Sequence, residues 1–134
     1  MNKLEVGFAK VNINPPLGIN IKGYYVTRLA KGFLDDLMAN TLVLSCGNKK
    51  IALISVDLCS LSADDITNIK NEIAKRTEIL PENIFLGATH THTGPHNLPD
   101  KAPESEKMVI KYLEFLKTRV ADSVAMAISD IKPA

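Results

Sequence analysis

The sequence predicts an α/β fold built on a mixed sheet, from three patterns. Two apolar, β-rich runs, residues 37–46 and 50–58, meet at Gly47-Asn48, which is typical of a β-hairpin. A helical pattern and another apolar run at 83–89 follow, so the last two runs predict parallel strands joined by a right-handed crossover. The amphipathic stretch 105–130 predicts a long C-terminal helix that covers one sheet face.

The remaining elements follow from shorter signals. Apolar residues alternate from Leu4 to Ile13 and predict a strand, whereas residues 17–36 have no clean period and predict a long loop. The S-x-x-D segment Ser62–Asp65 predicts the capping box of a helix that ends near residue 77. The nearly continuous apolar run Ile51–Val56 predicts a central strand that is covered on both faces.

Length and charge narrow the class of protein. The 134 residues are 46% hydrophobic and fit a single domain over residues 1–134. With 16 Lys and Arg interleaved among 15 Asp and Glu, no basic stripe favours nucleic acid or an anionic membrane. No apolar run approaches the ~20 residues of a transmembrane helix, and Met1–Glu5 lacks the apolar stretch of a signal peptide, so we expect a cytoplasmic protein.

The two cysteines are predicted to stay unpaired. Cys46 precedes the hairpin turn, while Cys59 follows the far end of the partner strand. That separation exceeds the ~7 Å between Cα atoms that a disulfide can bridge. We therefore interpret both as ordinary packing residues.

All three histidines, His90, His92 and His96, follow the second parallel strand. Ligands bind at the carboxyl ends of such strands, and residues two apart in an extended segment face the same side. Neutral imidazole is a common zinc ligand, so His90 and His92 are predicted to bind a metal. Participation of His96, which lies beyond Gly94-Pro95, stays open.

Asp57 and Arg28 complete the predicted site. Asp57 ends the neighbouring parallel strand, so it emerges at the same sheet edge as His90. It either supports a histidine, binds the metal, or is a solvated acid or helix-capping residue at a strand end. Arg28 lies in the long loop, where it either orients substrate or forms a surface ion pair. We predict catalytic roles for His92 and Asp57 and substrate binding by Arg28.

Two histidine-rich enzyme classes do not fit this spacing. The metallo-β-lactamase pattern HxHxDH fails because Gly94 and Pro95 stand where Asp and His are required. An amidohydrolase barrel that opens with HxH needs about 250 residues.

The segment Gly87–Pro95, GATHTHTGP, resembles the THTHSGP motif of neutral/alkaline (non-lysosomal) ceramidases. This sequence departs from the family at Thr93, where Ser is usual, and at His96, where Gly is usual. Three further segments are similar to the family's opening strand, its D-x-L-x-A segment and its strand ending in Asp: Val6–Pro16, Asp36–Ala39 and Ile54–Leu58.

The resemblance implies a zinc-dependent amidase, with His90 as the motif histidine that binds zinc and His92 lining the active site. Family members are several hundred residues long, and their remaining zinc ligands lie downstream of the region matched here. The chain is thus predicted to be an N-terminal fragment, inactive alone, of an enzyme acting on a small-molecule or lipid amide. The alternative is a non-catalytic binding or self-associating module that retains the fold. In either case a homodimer of the fragment is one expected form, because an apolar face exposed by truncation tends to find a partner.

Overall fold

The computed structural model describes residues 3–97 and 103–134, with the side chains of residues 103 and 104 excepted. Its sheet has the strand order β4-β3-β2-β1-β5, in which β3 and β4 are parallel and the other pairs antiparallel. The predicted mixed α/β fold, with a hairpin and a long C-terminal helix, is confirmed. In the described residues the elements are β1 (Leu4–Asn12), β2 (Met38–Cys46), β3 (Lys49–Val56), α1 (Ala63–Arg76), β4 (Ile84–Ala88), α2 (Pro103–Ser129) and β5 (Lys132–Pro133).

The β2–β3 hairpin turns where the sequence predicts it. Gly47 adopts a φ of 59°, a left-handed conformation that glycine takes without steric cost. At the opposite end the hairpin is closed by Asp57. Its N–H donates to the Met38 carbonyl and its carboxylate Oδ2 accepts from the Met38 N–H, both at 2.9 Å. We refer below to these two ends as the turn end and the site end.

Helix α1 begins at the predicted capping box. The Ser62 hydroxyl accepts from the Asp65 N–H, while the Asp65 carboxylate accepts from the Ser62 N–H. Ile69 and Ile73 are buried. A short 3₁₀ turn at Pro81–Asn83 then leads into β4, which pairs with β3 as predicted.

Helix α2 covers β1 and β2 with its apolar stripe. Val109, Leu116 and Val120 are completely buried. The buried Tyr112 hydroxyl donates to the Ile13 carbonyl at 2.8 Å, which ties the helix to the chain leaving β1. No described helix is long and apolar enough to cross a membrane.

The prediction that β3 is covered on both faces is wrong. Burial alternates along the strand, with Ala52, Ile54 and Val56 buried and Ile51 and Leu53 exposed by 36% and 39%. A continuous apolar run cannot indicate on which side the helices pack, and here α2 packs on one side only. The other side is an apolar surface, the open face, along which four strands align Phe8, Leu42, Leu53 and Phe85.

Two features of the sheet margins were not predicted. Strand β4 is an edge strand of the described sheet, so Phe85 is 58% exposed. At the other edge β5 pairs with Glu5 and Val6 of β1. Only two residues long, β5 carries no periodic signal that sequence reasoning can detect.

Candidate functional site

The chain segments that follow β3 and β4 run side by side and bring the predicted site residues together. Val56 and Ala88 are paired at the strand ends. Beyond them, the Thr89 N–H donates to the Val56 carbonyl and the His90 N–H to the Leu58 carbonyl, both at 3.0 Å. The pairing of the parallel strands therefore continues into the site and places the histidines beside the segment that follows Asp57.

His90 is held in an unusual backbone conformation with one ring nitrogen engaged. Its φ of 65° lies in the left-handed region, which costs a non-glycine residue about 1–2 kcal/mol. Nδ1 lies 2.8 Å from the Cys59 carbonyl oxygen. Because a carbonyl only accepts hydrogen bonds, this contact puts the ring proton on Nδ1 and leaves a lone pair on Nε2.

The Nε2 atom of His92 lies beside the Nε2 atom of His90. The two Nε2 atoms are 3.3 Å apart, and the rings cross at 74° with centroids 4.9 Å apart. Two imidazole nitrogens on one tetrahedral zinc, each at about 2.0–2.1 Å, are separated by about 3.3–3.4 Å. The separation of the two Nε2 atoms therefore matches that of two imidazole ligands on one zinc ion.

Gly23 makes the room that His92 occupies. A Cβ at this position would lie 2.5 Å from Cγ and 2.7 Å from Nδ1 of the His92 ring, closer than any real contact. The glycine also has a φ of 101°. On the other side, the Tyr24 ring meets the His92 ring edge-on, with centroids 6.2 Å apart. Sequence reasoning missed Gly23, because one glycine in a loop containing several has no distinctive signal.

Cys59 is the second residue that sequence reasoning missed. It is buried, and its Sγ lies 3.7 Å from His90 Nδ1. One ligand atom each from Cys59, His90 and His92 lie within 4.8 Å of one another, and this is the group of potential metal ligands found in the described residues. His96 is outside it; its backbone N–H donates to the Asn20 carbonyl at 2.6 Å. Neither cysteine forms a disulfide, as predicted, but Cys46 is exposed and is therefore not the packing residue that the sequence led us to expect.

The structure brings Arg28 to the site. Its Nη2 donates to the His92 carbonyl at 3.2 Å, and its guanidinium carbon lies 3.7 Å above the Tyr24 ring centroid. Its Nε is buried and has no hydrogen-bond partner in the part of the chain that is described. Arg28 therefore packs against the histidine segment, whereas the alternative expectation was a surface ion pair.

Asp57 lies at the site end but is used differently from Cys59. Its carboxylate accepts from the Met38 N–H, and the hydrogen-bond partner of His90 Nδ1 is the Cys59 carbonyl. Asp57 also lines a cavity of about 1030 Å³, together with Arg28, Thr91 and Thr93. The rest of its wall is mainly apolar and comes from the long loop: Ile21, Leu29, Phe33 and Leu37.

A polar cluster beside the histidines joins the three loops that form the site. The Lys22 ammonium donates to the Ser60 hydroxyl and, at 3.1 Å, to the side-chain carbonyl of Asn97. The Asn97 amide group donates in turn to the Ser60 carbonyl at 2.6 Å. These bonds connect the neighbours of Gly23 and Cys59 to the chain leaving the histidine segment, so the loops are fixed relative to one another.

The fold and site together define an α/β domain with a histidine pair at the carboxyl edge of its parallel strands, and two solved structures share that fold. No family model matches the chain. The neutral ceramidase from Pseudomonas aeruginosa superposes with a TM-score of 0.79 at 17% sequence identity. A ceramidase complexed with C2 superposes with a TM-score of 0.77 at 19% identity. Each match covers 99% of this chain and 22% of the other. The resemblance to ceramidases is thus confirmed as a shared fold, over about a fifth of those chains.

Proposed function

We propose that this chain is the N-terminal, metal-binding part of a zinc-dependent hydrolase that resembles neutral ceramidase and cleaves an N-acyl amide bond. The observation that carries the proposal is the 3.3 Å separation of the Nε2 atoms of His90 and His92. The fold shared with two ceramidases supports the same class of enzyme.

Other residues of the chain would set the tautomer and the position of the two histidine rings that bind the metal. The Cys59 carbonyl fixes the tautomer of His90, and the gap at Gly23 sets the position of the His92 ring. When bound, zinc supplies Lewis-acid chemistry that polarises an amide carbonyl and activates water for attack. The proposed catalytic part of His92 is to present Nε2 at the point where the substrate reacts.

Asp57 and Arg28 would act around this pair. Asp57 is a positioning residue, because its carboxylate holds Met38 and so fixes the chain that leads to Cys59. The Arg28 guanidinium is fixed by the His92 carbonyl and the Tyr24 ring, while Nε stays unpaired. A buried donor without a partner is costly, so a polar substrate atom is a suitable acceptor for it. This supports the predicted role of Arg28 in substrate binding.

The loop beside the cavity supports an apolar acyl group as part of the substrate. Large hydrophobic side chains are exposed there, among them Tyr25, Val26, Leu29, Phe33 and Leu34. Together with the apolar cavity wall, which includes Thr91 and Thr93 of the histidine segment, they form a surface that suits an alkyl chain. A lipid amide, or a small-molecule amide with an apolar acyl group, is therefore the proposed substrate class.

Activity is proposed to need more protein than these residues. A hydrolytic zinc site commonly uses three protein ligands and one open position, and the histidine pair supplies two. The chain spans 22% of the ceramidase chains it matches. We therefore expect no amide hydrolysis from the 134-residue chain alone.

The test is zinc stoichiometry measured by calorimetry and elemental analysis, with His96→Ala as the matched control. We expect about one zinc per chain, lost in both His90→Ala and His92→Ala and retained in His96→Ala, because His96 is outside the ligand group. A parallel assay would follow fatty-acid release from an N-acyl amide by the chain and by any longer product of its reading frame. Zinc binding that is indifferent to His90 would overturn the proposal.

A further inference from the structure

Cys59 is placed where a metal ligand would be, although it belongs to a different segment from the histidines. The residue is 7% exposed, and its carbonyl already holds His90 Nδ1. Its Sγ lies 3.7 Å from the same ring. The backbone of Cys59 thus orients His90 while its sulfur lies against the ring of the same histidine.

We infer that the Cys59 thiolate is a third metal ligand, so that this chain holds zinc with a Cys-His-His donor set. The inference rests on the proposed function and deepens it, since it adds a ligand that the ceramidase resemblance does not supply. The ceramidase resemblance implies that the remaining zinc ligands lie downstream of this region. A site with three protein ligands would instead bind metal without residues outside the chain.

The distances support three ligands on one ion. The three ligand atoms lie within 4.8 Å of one another. Zinc bound to sulfur at about 2.3 Å and to nitrogen at about 2.0–2.1 Å requires a sulfur-to-nitrogen separation of about 3.6 Å. The histidine pair already has its required spacing, so the adjustment that completes the set falls on the Cys59 side chain.

The donor types also select the metal. One thiolate and two imidazoles favour zinc over magnesium or calcium, which prefer oxygen ligands. Three protein ligands leave a fourth tetrahedral position open, the arrangement typical of catalytic and not of structural zinc. Burial of the sulfur away from solvent protects it from oxidation while the metal is bound.

Cobalt(II) substitution tests the inference directly, because only a coordinated thiolate gives an intense sulfur-to-cobalt charge-transfer band in the near ultraviolet. The 134-residue chain is titrated with cobalt and then with zinc, beside Cys59→Ser, Cys46→Ser and His90→Ala. Cys46→Ser is the matched control, since Cys46 is exposed at the turn end of the same hairpin. Circular dichroism verifies that each variant is folded.

We expect the charge-transfer band in the parent chain and in Cys46→Ser, and no band in Cys59→Ser. Metal affinity should also fall at least about tenfold in Cys59→Ser, because loss of a residue that only supports a ligand already costs about that much. Cobalt bound without the band in the parent chain would overturn the inference, whatever the variants do. If that binding still required His90, the proposed histidine site would stand. A band that persisted in Cys59→Ser and vanished in Cys46→Ser would also overturn it.

Discussion

The two ends of the β2–β3 hairpin use the same residue types for different purposes. At the turn end, Cys46 is exposed and Gly47 reverses the chain. At the site end, Cys59 is buried beside His90, and Gly23 leaves room for His92. The difference arises from what converges at each end. In the described residues the site end receives the carboxyl end of a second parallel strand and the long loop, so side chains from three separate segments meet there.

Replacing Gly23 or Gly47 with alanine should give the largest difference between the two ends, because the two variants are expected to change different properties. In Gly23→Ala the new methyl group would overlap the His92 ring, so the ring must move and the histidine spacing is lost. We expect zinc affinity to fall at least about tenfold. Gly47→Ala should leave zinc affinity unchanged and lower the free energy of unfolding by about 1–2 kcal/mol, the cost of a left-handed non-glycine residue.

Calorimetric titration with zinc measures the metal affinity of both glycine variants, and urea unfolding measures their stability. Equal zinc affinities in the two variants would show that the Gly23 gap does not set the His92 position.

The next prediction compares how much a charged side chain at each end contributes to the free energy of unfolding. Asp57→Ala removes the acceptor of the Met38 N–H at the site end, a hydrogen bond to a charged group worth about 1.5–3 kcal/mol. Lys50→Met removes the 3.2 Å ion pair with Glu78 near the turn end, where Glu78 is 88% exposed. Such a pair contributes about 0–1 kcal/mol. Chemical denaturation measures both, and a larger loss from Lys50→Met would contradict the assignment of Asp57 as the residue that closes the hairpin.

The sequence predicts the individual strands and helices of this protein better than it predicts how they pack against one another. The hairpin at Gly47 and the capping box at Ser62 depend on residues within a few positions of each other, and both are confirmed. His90 and His92 meet as predicted, but not through strand periodicity, because β4 ends at Ala88 and His90 has a left-handed φ of 65°. The interpretation of β3 as doubly covered failed because helix placement is a tertiary property.

The remaining site residues needed contacts between distant segments. Cys59 meets His90, and Gly23 meets His92, only after the strands and the long loop are assembled. Neither pair has a local sequence signal. The homodimer of the fragment stays a prediction, and the open face, with Phe8 and Phe85 at 57% and 58% exposure, is the surface on which it depends.

The last prediction concerns how helix α2 holds the site end. The Tyr112 hydroxyl donates to the Ile13 carbonyl, and the Ile13 N–H donates to the Leu37 carbonyl immediately before β2. Tyr112→Phe should lower the free energy of unfolding by about 1 kcal/mol at pH 7. Zinc affinity should stay the same, because the histidines are held by other bonds.

The same substitution should change the dependence of stability on pH. Burial raises the pKa of the Tyr112 phenol above its ordinary value of 10.0, so the folded chain keeps this proton at pH values where the unfolded chain has lost it. The unfolded state then binds fewer protons, and stability falls as the pH rises above about 10. Tyr112→Phe removes that contribution, while the exposed Tyr24 and Tyr25 remain in both proteins. Urea unfolding at pH 7 and pH 11 should therefore show a smaller alkaline loss in the variant. An equal loss in both proteins would mean that Tyr112 releases its proton in the folded state as readily as in the unfolded one, and that the bond to Ile13 does not survive at high pH.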